Sequence, residues 1–243
     1  MAKKKYYFIS DIHLGAGNEI QEKNKKDKLK NFFEFIKQPG NELYIIGDLF
    51  DYWFEYKYVV PNKFFDILFE ISKLIEADVT VYFLRGNHDC WLRNFLSDQV
   101  GIKILPDIYL AEIDSKKVYL FHGDGILKQD RGYLLLKKIF RSPVNIFLFR
   151  LIHPDIGIPL TKKMSQTSKN YSAKQVFDNL DEYIAFASDK FRAGYDYVIL
   201  GHSHEALIKQ LGENTLINLG DWIKHFSYAQ ICDGRISLNF WNS

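Results

Sequence analysis

Leu43-Tyr44-Ile45-Ile46-Gly47-Asp48-Leu49-Phe50-Asp51 joins a short apolar run to a glycine and a carboxylate. The run reads as a buried strand, Gly47 as the turn that ends it, and Asp48 as a side chain presented at the strand's carboxyl end. Ligands of open α/β sheets bind beyond that edge, so Asp48 stands where chemistry takes place. Four further segments share the form. Tyr7-Phe8-Ile9-Ser10 leads into Asp11-Ile12-His13, and Val79 to Leu84 leads into Arg85-Gly86-Asn87-His88-Asp89. Val118 to Phe121 leads into His122-Gly123-Asp124, and Tyr197 to Leu200 into Gly201-His202-Ser203-His204.

Between these strands the period changes. Leu29, Phe32, Phe33 and Ile36 recur at helical spacing before Pro39-Gly40, as do Phe64, Ile67, Leu68, Ile71 and Ile75. Residues 15–27, polar and rich in Lys, Glu and Asn, read as a loop or the rim of the site. Alternating strands and helices mark a layered α/β fold. After residue 100 the segments 108–113 and 116–121 form a hairpin pattern. Short strands follow at 197–200, 206–210, 215–219, 227–231 and 235–240, with turns at Gly212-Glu213-Asn214 and Asp233-Gly234. Two sheets whose strands end near the same loops explain this better than one doubly wound sheet.

Residues 125–175 depart from that rhythm, with ten Lys or Arg against Asp130 and Asp155. The segment therefore carries +8 in a chain of net charge +2, leaving −6 for the remainder. Ser142-Pro143 separates two helical pieces, one with Leu134, Leu135, Leu136, Ile139 and Phe140, the other with Ile146 to Phe149, Leu151 and Ile152. Such a segment can pack as an ordinary subdomain. It can also cover an anionic, greasy substrate at a membrane surface, where apolar insertion and attraction to anionic lipid act together. A final helix is expected over Ser172 to Arg192.

The 243 residues, 47% of them hydrophobic, suffice for a substantial core. The balanced charge argues against a nucleic-acid partner. Cys90 and Cys232 have no paired spacing, so no disulfide framework is expected and a reducing compartment fits. Met1-Ala2-Lys3-Lys4-Lys5 runs straight into a strand without a cleavage-like segment, which speaks against a secretory signal. Basic residues interrupt every apolar run well short of a membrane span.

The loops supply Asp11, His13, Asp48, Asn87, His122, His202 and His204 as oxygen and imidazole donors, with no thiolate. That mixture suits Mn²⁺, Fe²⁺, Co²⁺ or Zn²⁺. Seven donors exceed the needs of one transition metal and suit two that share a carboxylate, for which Asp48 is best placed. Two such cations, about 3.5–4 Å apart, serve phosphoryl transfer by lowering the pKa of water and clamping a phosphoryl oxygen. His88 stands outside the ligand count and is read as facing substrate as a transition-state stabiliser or acid, with Asp89 to orient its ring. His153, His225 and Asp51 are read as hydrogen-bonded residues, Asp51 bracing its loop.

With these motifs the chain resembles the calcineurin-like metallophosphoesterases. Their pattern D-x-H, G-D-x-x-D, G-N-H-D, H-G-D and G-H-x-H appears at 11–13, 47–51, 86–89, 122–124 and 201–204. The resemblance implies a four-layer αββα sandwich over 1–243, with 125–175 as a helical insertion forming a lid. It places Asp11, His13, Asp48 and His204 on one metal, and Asp48, Asn87, His122 and His202 on the other. Gly47 to Trp53, Asp130, Tyr133, Met164 and Ser168-Lys169 make the chain similar to a group within that family, the UDP-2,3-diacylglucosamine diphosphatases of lipid A biosynthesis. That group works at the cytoplasmic face of the inner membrane, usually with Mn²⁺, on a UDP-linked diacylated sugar. The resemblance implies nucleotide or sugar contacts from Asn87, Asp130, Tyr133 and Ser168, phosphate contacts from Lys169 or Lys174, and an acyl site lined by 134–152. It also implies a cytoplasmic protein held peripherally on an anionic membrane, with no obligate protein partner. Two departures stand out: the best-known diphosphatases of this group carry Arg after the Asn, where this chain has His88, and Gly125 to Gln129 is not their usual sequence.

Overall fold

The computed structural model describes residues 3–128, 131–161, 163 and 179–242; at 131–133, 135 and 136 it describes the backbone alone. A first sheet runs β11-β10-β1-β2-β3-β4, from Arg235–Phe240 (β11), Ser227–Cys232 (β10), Tyr6–Ile9 (β1), Glu42–Ile46 (β2), Thr80–Leu84 (β3) and Lys103–Ile104 (β4). β1 to β4 are parallel, and the β10–β11 hairpin joins β1 antiparallel. The second sheet runs β5-β6-β7-β9-β8, from Ile108–Ile113 (β5), Lys116–Phe121 (β6), Tyr197–Leu200 (β7), Asn214–Leu219 (β9) and Ala206–Leu211 (β8). Its three central strands are parallel and its two edges antiparallel.

Because side chains alternate across a strand, each sheet builds two cores. Phe8, Tyr44, Ile46 and Leu84 face Val118, Leu120, Ile199 and Ile217 between the sheets. On the outer side of the first sheet, Tyr7, Ile9, Leu43, Ile45, Val81 and Phe83 meet helices α1 (Glu19–Ile36) and α2 (Phe65–Glu76). Tyr119, Val198, Leu200 and Leu216 meet α6 (Leu180–Arg192) on the far side. The layers are therefore helix, sheet, sheet, helix, and strands buried on both faces read as continuous apolar runs. Within the long β6–β7 connection stand α3 (Arg131–Phe140), α4 (Pro143–Arg150) and helical residues 154–161 (α5). Pro143 at the first helical position, where its missing N–H costs nothing, restarts the chain as α4.

One expectation fails in part. Helix α1 begins at Glu19, inside the stretch read as a loop, capped by the Asn18 side chain with Gln21 reciprocating. Its first turns are held by polar contacts instead of an apolar stripe. Glu22 accepts from the Gly15 and Gly17 N–H groups at 2.7 and 2.8 Å, and Lys25 donates to the His13 carbonyl at 2.8 Å. Both side chains are buried and paired at 2.9 Å. Helix α6 ends at Arg192 as expected; the first part of its expected span, 172–178, lies outside the described residues. Strand β4 was not foreseen, being only two residues long.

Candidate metal centre

All seven expected donors meet at the carboxyl ends of β1, β2, β3, β6 and β7. Backbone hydrogen bonds stitch the loops: Asp11 N–H to the Gly47 carbonyl, His13 to Asp48, Leu14 to Leu49, and Gly201 to His122. Asp11, His13, Asp48, His202 and His204 have φ between 47° and 69°. Left-handed backbone costs a non-glycine residue roughly 1–3 kcal/mol, so five such residues at one place mark a site where aiming the side chain outweighs backbone preference. Gly86 is required by close approach: a Cβ there would lie 1.9 Å from Asp48 Oδ1.

The donors form two groups sharing Asp48. In the first, His13 Nε2 lies 3.3 Å from His204 Nε2, 3.6 Å from Asp48 Oδ2 and 3.7 Å from Asp11 Oδ1, while His204 Nε2 is 3.6 Å from Asp11 Oδ1. In the second, Asn87 Oδ1 lies 3.0 Å from both His122 Nε2 and His202 Nδ1, and His122 Nε2 is 3.4 Å from Asp48 Oδ2. Donors each about 2.1 Å from one cation stand about 3.0 Å apart in an octahedral and about 3.4 Å apart in a tetrahedral arrangement. The spacings fit.

Protonation states point the same way. His122 Nδ1 donates to the Ile46 carbonyl at 2.8 Å, so in the neutral ring Nε2 aims a lone pair at two oxygens. Only a proton or a metal makes that contact favourable. Burial lowers the His122 pKa, but the Asp48 carboxylate, with Asp11 and Asp124, raises it to about 10. Asp48 is held well below the usual carboxylate range: burial opposes this, and His122, His88 and His13 prevail. Asp11 is lowered against burial by His204, His13 and His122, and its Oδ1, facing the first group, accepts no hydrogen bond. His202 is lowered to about 4 by burial and by His122, which leaves it a neutral donor. Such a field favours a cation.

Asp51, expected to brace its loop, is also drawn into the centre: it is fully buried, with Oδ1 3.5 Å from His13 Nδ1. Its carbonyl accepts from His88 Nδ1 at 3.0 Å, leaving His88 Nε2 4.0 Å from Asp48 Oδ2. The Asp51 carbonyl thus orients the His88 ring, the task expected of Asp89. Asp89 instead accepts from the N–H groups of Asp48, Phe50 and Gly86 at 3.0–3.2 Å, tying two loops together. Burial and the Asp48 charge raise its pKa to about 7. Asp130, Ser168, Lys169 and Lys174 lie outside the described residues, and Tyr133 is described only as backbone in α3. His153 is exposed beside Asp155, and His225 lies beside Asp221.

Asp221 is the residue the sequence reading missed. Buried, it accepts from the Ile223, Lys224 and His225 N–H groups and places Oδ2 3.6 Å from His204 Nδ1. Burial opposes its ionisation, yet His204 and those N–H groups hold its pKa well below the usual range. A carboxylate behind a ligating imidazole fixes the ring and strengthens it as a donor.

Comparison with known proteins agrees with this geometry. Residues 4–206 match the calcineurin-like phosphoesterase family. The chain belongs to the calcineurin-like phosphoesterases. A Porphyromonas gingivalis protein named UDP-2,3-diacylglucosamine hydrolase is 31% identical, covering 96% of this chain and 95% of its own. Proteins of the same name from Neisseria meningitidis serogroup B and Haemophilus influenzae are 32% and 29% identical, covering 94% and 92% of this chain and 93% of each relative. This calcineurin-like chain is thus a metal-dependent hydrolase. No helix among the described residues is long and apolar enough to cross a membrane.

Proposed function

We propose that the protein hydrolyses the pyrophosphate of UDP-2,3-diacylglucosamine, giving UMP and 2,3-diacylglucosamine 1-phosphate. The observation that carries the reading is helix α4, which has no buried residue and packs against Phe54 and Trp91, Trp91 lying two residues beyond the Asn87–Asp89 loop. Its Phe149 packs on Phe54 and Trp91 at 4.8 and 5.3 Å between centroids, while Val144, Phe147, Leu148 and Leu151 remain exposed. An exposed apolar face on a strongly basic segment suits acyl chains under an anionic pyrophosphate at a membrane surface. The names of the near full-length relatives point to the same substrate.

In this reading Asp11, His13, Asp48 and His204 hold one divalent cation, and Asp48, Asn87, His122 and His202 the other, with Mn²⁺ the leading candidate and Fe²⁺, Co²⁺ or Zn²⁺ compatible. When bound, such a pair supplies Lewis acidity and a water of lowered pKa. The chain's own groups supply orientation. Asp51 and Asp221 steer His13 and His204, and Asn87 contacts both a cation and the nucleotide. His88, with Nδ1 occupied by the Asp51 carbonyl, offers Nε2 to the departing sugar phosphate. Asp130, Tyr133 and Ser168 are proposed for the nucleotide or sugar, and Lys169 or Lys174 for phosphate. The lid segment 125–175 would rest peripherally on the cytoplasmic face of the inner membrane.

His88 in place of Arg favours one other reading, a phosphatase or nucleotide pyrophosphatase acting on a soluble compound. Comparing kcat/KM for UDP-2,3-diacylglucosamine and unacylated UDP-glucosamine separates the two. Each buried CH₂ contributes about 0.8 kcal/mol, so the acylated substrate is expected to lead by about 10²-fold or more. Equal values would remove the lipid assignment and leave the soluble one.

A further inference from the structure

Lys137 lies in the last turn of α3, and Arg141 follows the helix end with its N–H still bonded to the Lys137 carbonyl at 2.9 Å, so the two side chains share one face. Lys137 Nζ is 2.7 Å from Oδ2 of the buried Asp124, two residues beyond His122. Arg141 Nη2 donates to the Gly86 carbonyl at 3.0 Å, immediately before Asn87, and its Nη1 pairs with Asp107. Trp91 Nε1 secures the end of the helix by donating to the Phe140 carbonyl at 2.8 Å. Leu134, a turn earlier, approaches Gly125 so closely that a Cβ there would meet Leu134 Cδ2 at 2.5 Å. One helix therefore grips both the Gly86–Asp89 loop and the His122–Gly125 loop. These loops carry Asn87 and His122, donors that belong to the second group alone. The first group is braced differently: Lys25 holds the His13 carbonyl and Asp221 stands behind His204.

We propose that α3 is the brace of the second metal group, with Lys137 and Arg141 as positioning residues that set His122 and Asn87 for their cation. This rests on the dinuclear reading above and extends it. The affinity of the second group depends on how α3 is seated, and that of the first does not. By reciprocity, whatever seats α3 more firmly tightens the second cation. Supporting contacts of this kind typically change metal affinity by about 10–100-fold.

Electrostatics and positioning predict opposite signs. Removing a positive charge near a cation site favours the cation, whereas losing the brace weakens the site. Metal-free full-length protein is titrated with Mn²⁺ by calorimetry, with electron paramagnetic resonance reporting the exchange-coupled pair. Wild type is expected to take up two ions. The Lys137→Met/Arg141→Met variant should bind one ion as wild type and the other, at the second group, about 10-fold or more weakly, with the coupled signal replaced by an isolated Mn²⁺ signal. Lys137→Arg, which keeps the Asp124 pair, should bind both ions as wild type, and Lys138→Met, which removes an exposed charge from the same helix, should weaken neither step. The single Lys137→Met variant gives the same comparison if the double variant does not fold. Two steps both unchanged or tighter, or both weakened equally, overturn the proposal. A wild type that binds fewer than two ions overturns the dinuclear reading beneath it.

Discussion

Two imidazole nitrogens 3.3 Å apart, as His13 Nε2 and His204 Nε2 are, repel when both present lone pairs. The carboxylates of Asp51 and Asp221 near the opposite Nδ1 atoms favour that arrangement. The cluster is thus shaped for a cation at a cost to the metal-free fold. Asp221→Asn should weaken one Mn²⁺ step, that of the group containing His204, by about 10-fold and leave the other unchanged, measured by calorimetric titration. The pH dependence follows from His122. In the metal-free protein its folded pKa, about 10, lies above the unfolded value of about 6.5, so its pairing with Asp48 stabilises fully below pH about 6.5 and fades as pH rises toward 10. A metal must displace that proton. The affinity of the group containing His122 should therefore rise by up to about tenfold per pH unit between pH 7 and 9, with proton release visible as a dependence of binding heat on the buffer. The seven donors were legible because each follows a strand end. Asp221 also follows a strand and Gly220, but the polar Asn218 interrupts that run and no histidine accompanies it.

Elements built on apolar periodicity were legible; those built on polar contacts were not. The start of α1 depends on Glu22 and Lys25 holding the backbone of the Asp11–Gly17 loop, and no hydrophobic stripe announces it. The backbone conformations at the strand ends were likewise invisible, although Gly47 and Gly86 hint at them. Gly86→Ala should be severe, because the new Cβ would overlap the Asp48 carboxylate. The variant is expected to lose about 2 kcal/mol or more of stability, seen as a fall in Tm, and most of its Mn²⁺. A wild-type metal content in Gly86→Ala would show that the loop relaxes away from Asp48.

The whole molecule joins a rigid two-sheet frame, which aims five loops at one point, to a basic helical segment with apolar residues on its surface. The layered arrangement could be read from the alternation of strands and helices and from the late run of short strands. The contacts that dock α3 and α4 could not, since they join residues far apart in sequence, such as Arg141 with Gly86 and Phe149 with Phe54. On the membrane reading, wild-type protein should float with vesicles rich in anionic lipid, less so at high salt. Phe147→Asp/Leu148→Asp should float several-fold less, and identical partitioning would remove the membrane contact. The central claim is that Asp48 bridges two cations, and anomalous diffraction from Mn²⁺-loaded crystals tests it most directly. Two peaks about 3.5–4 Å apart, with the Asp48 carboxylate between them, are expected; a single peak, or a second one away from Asp48, would contradict it.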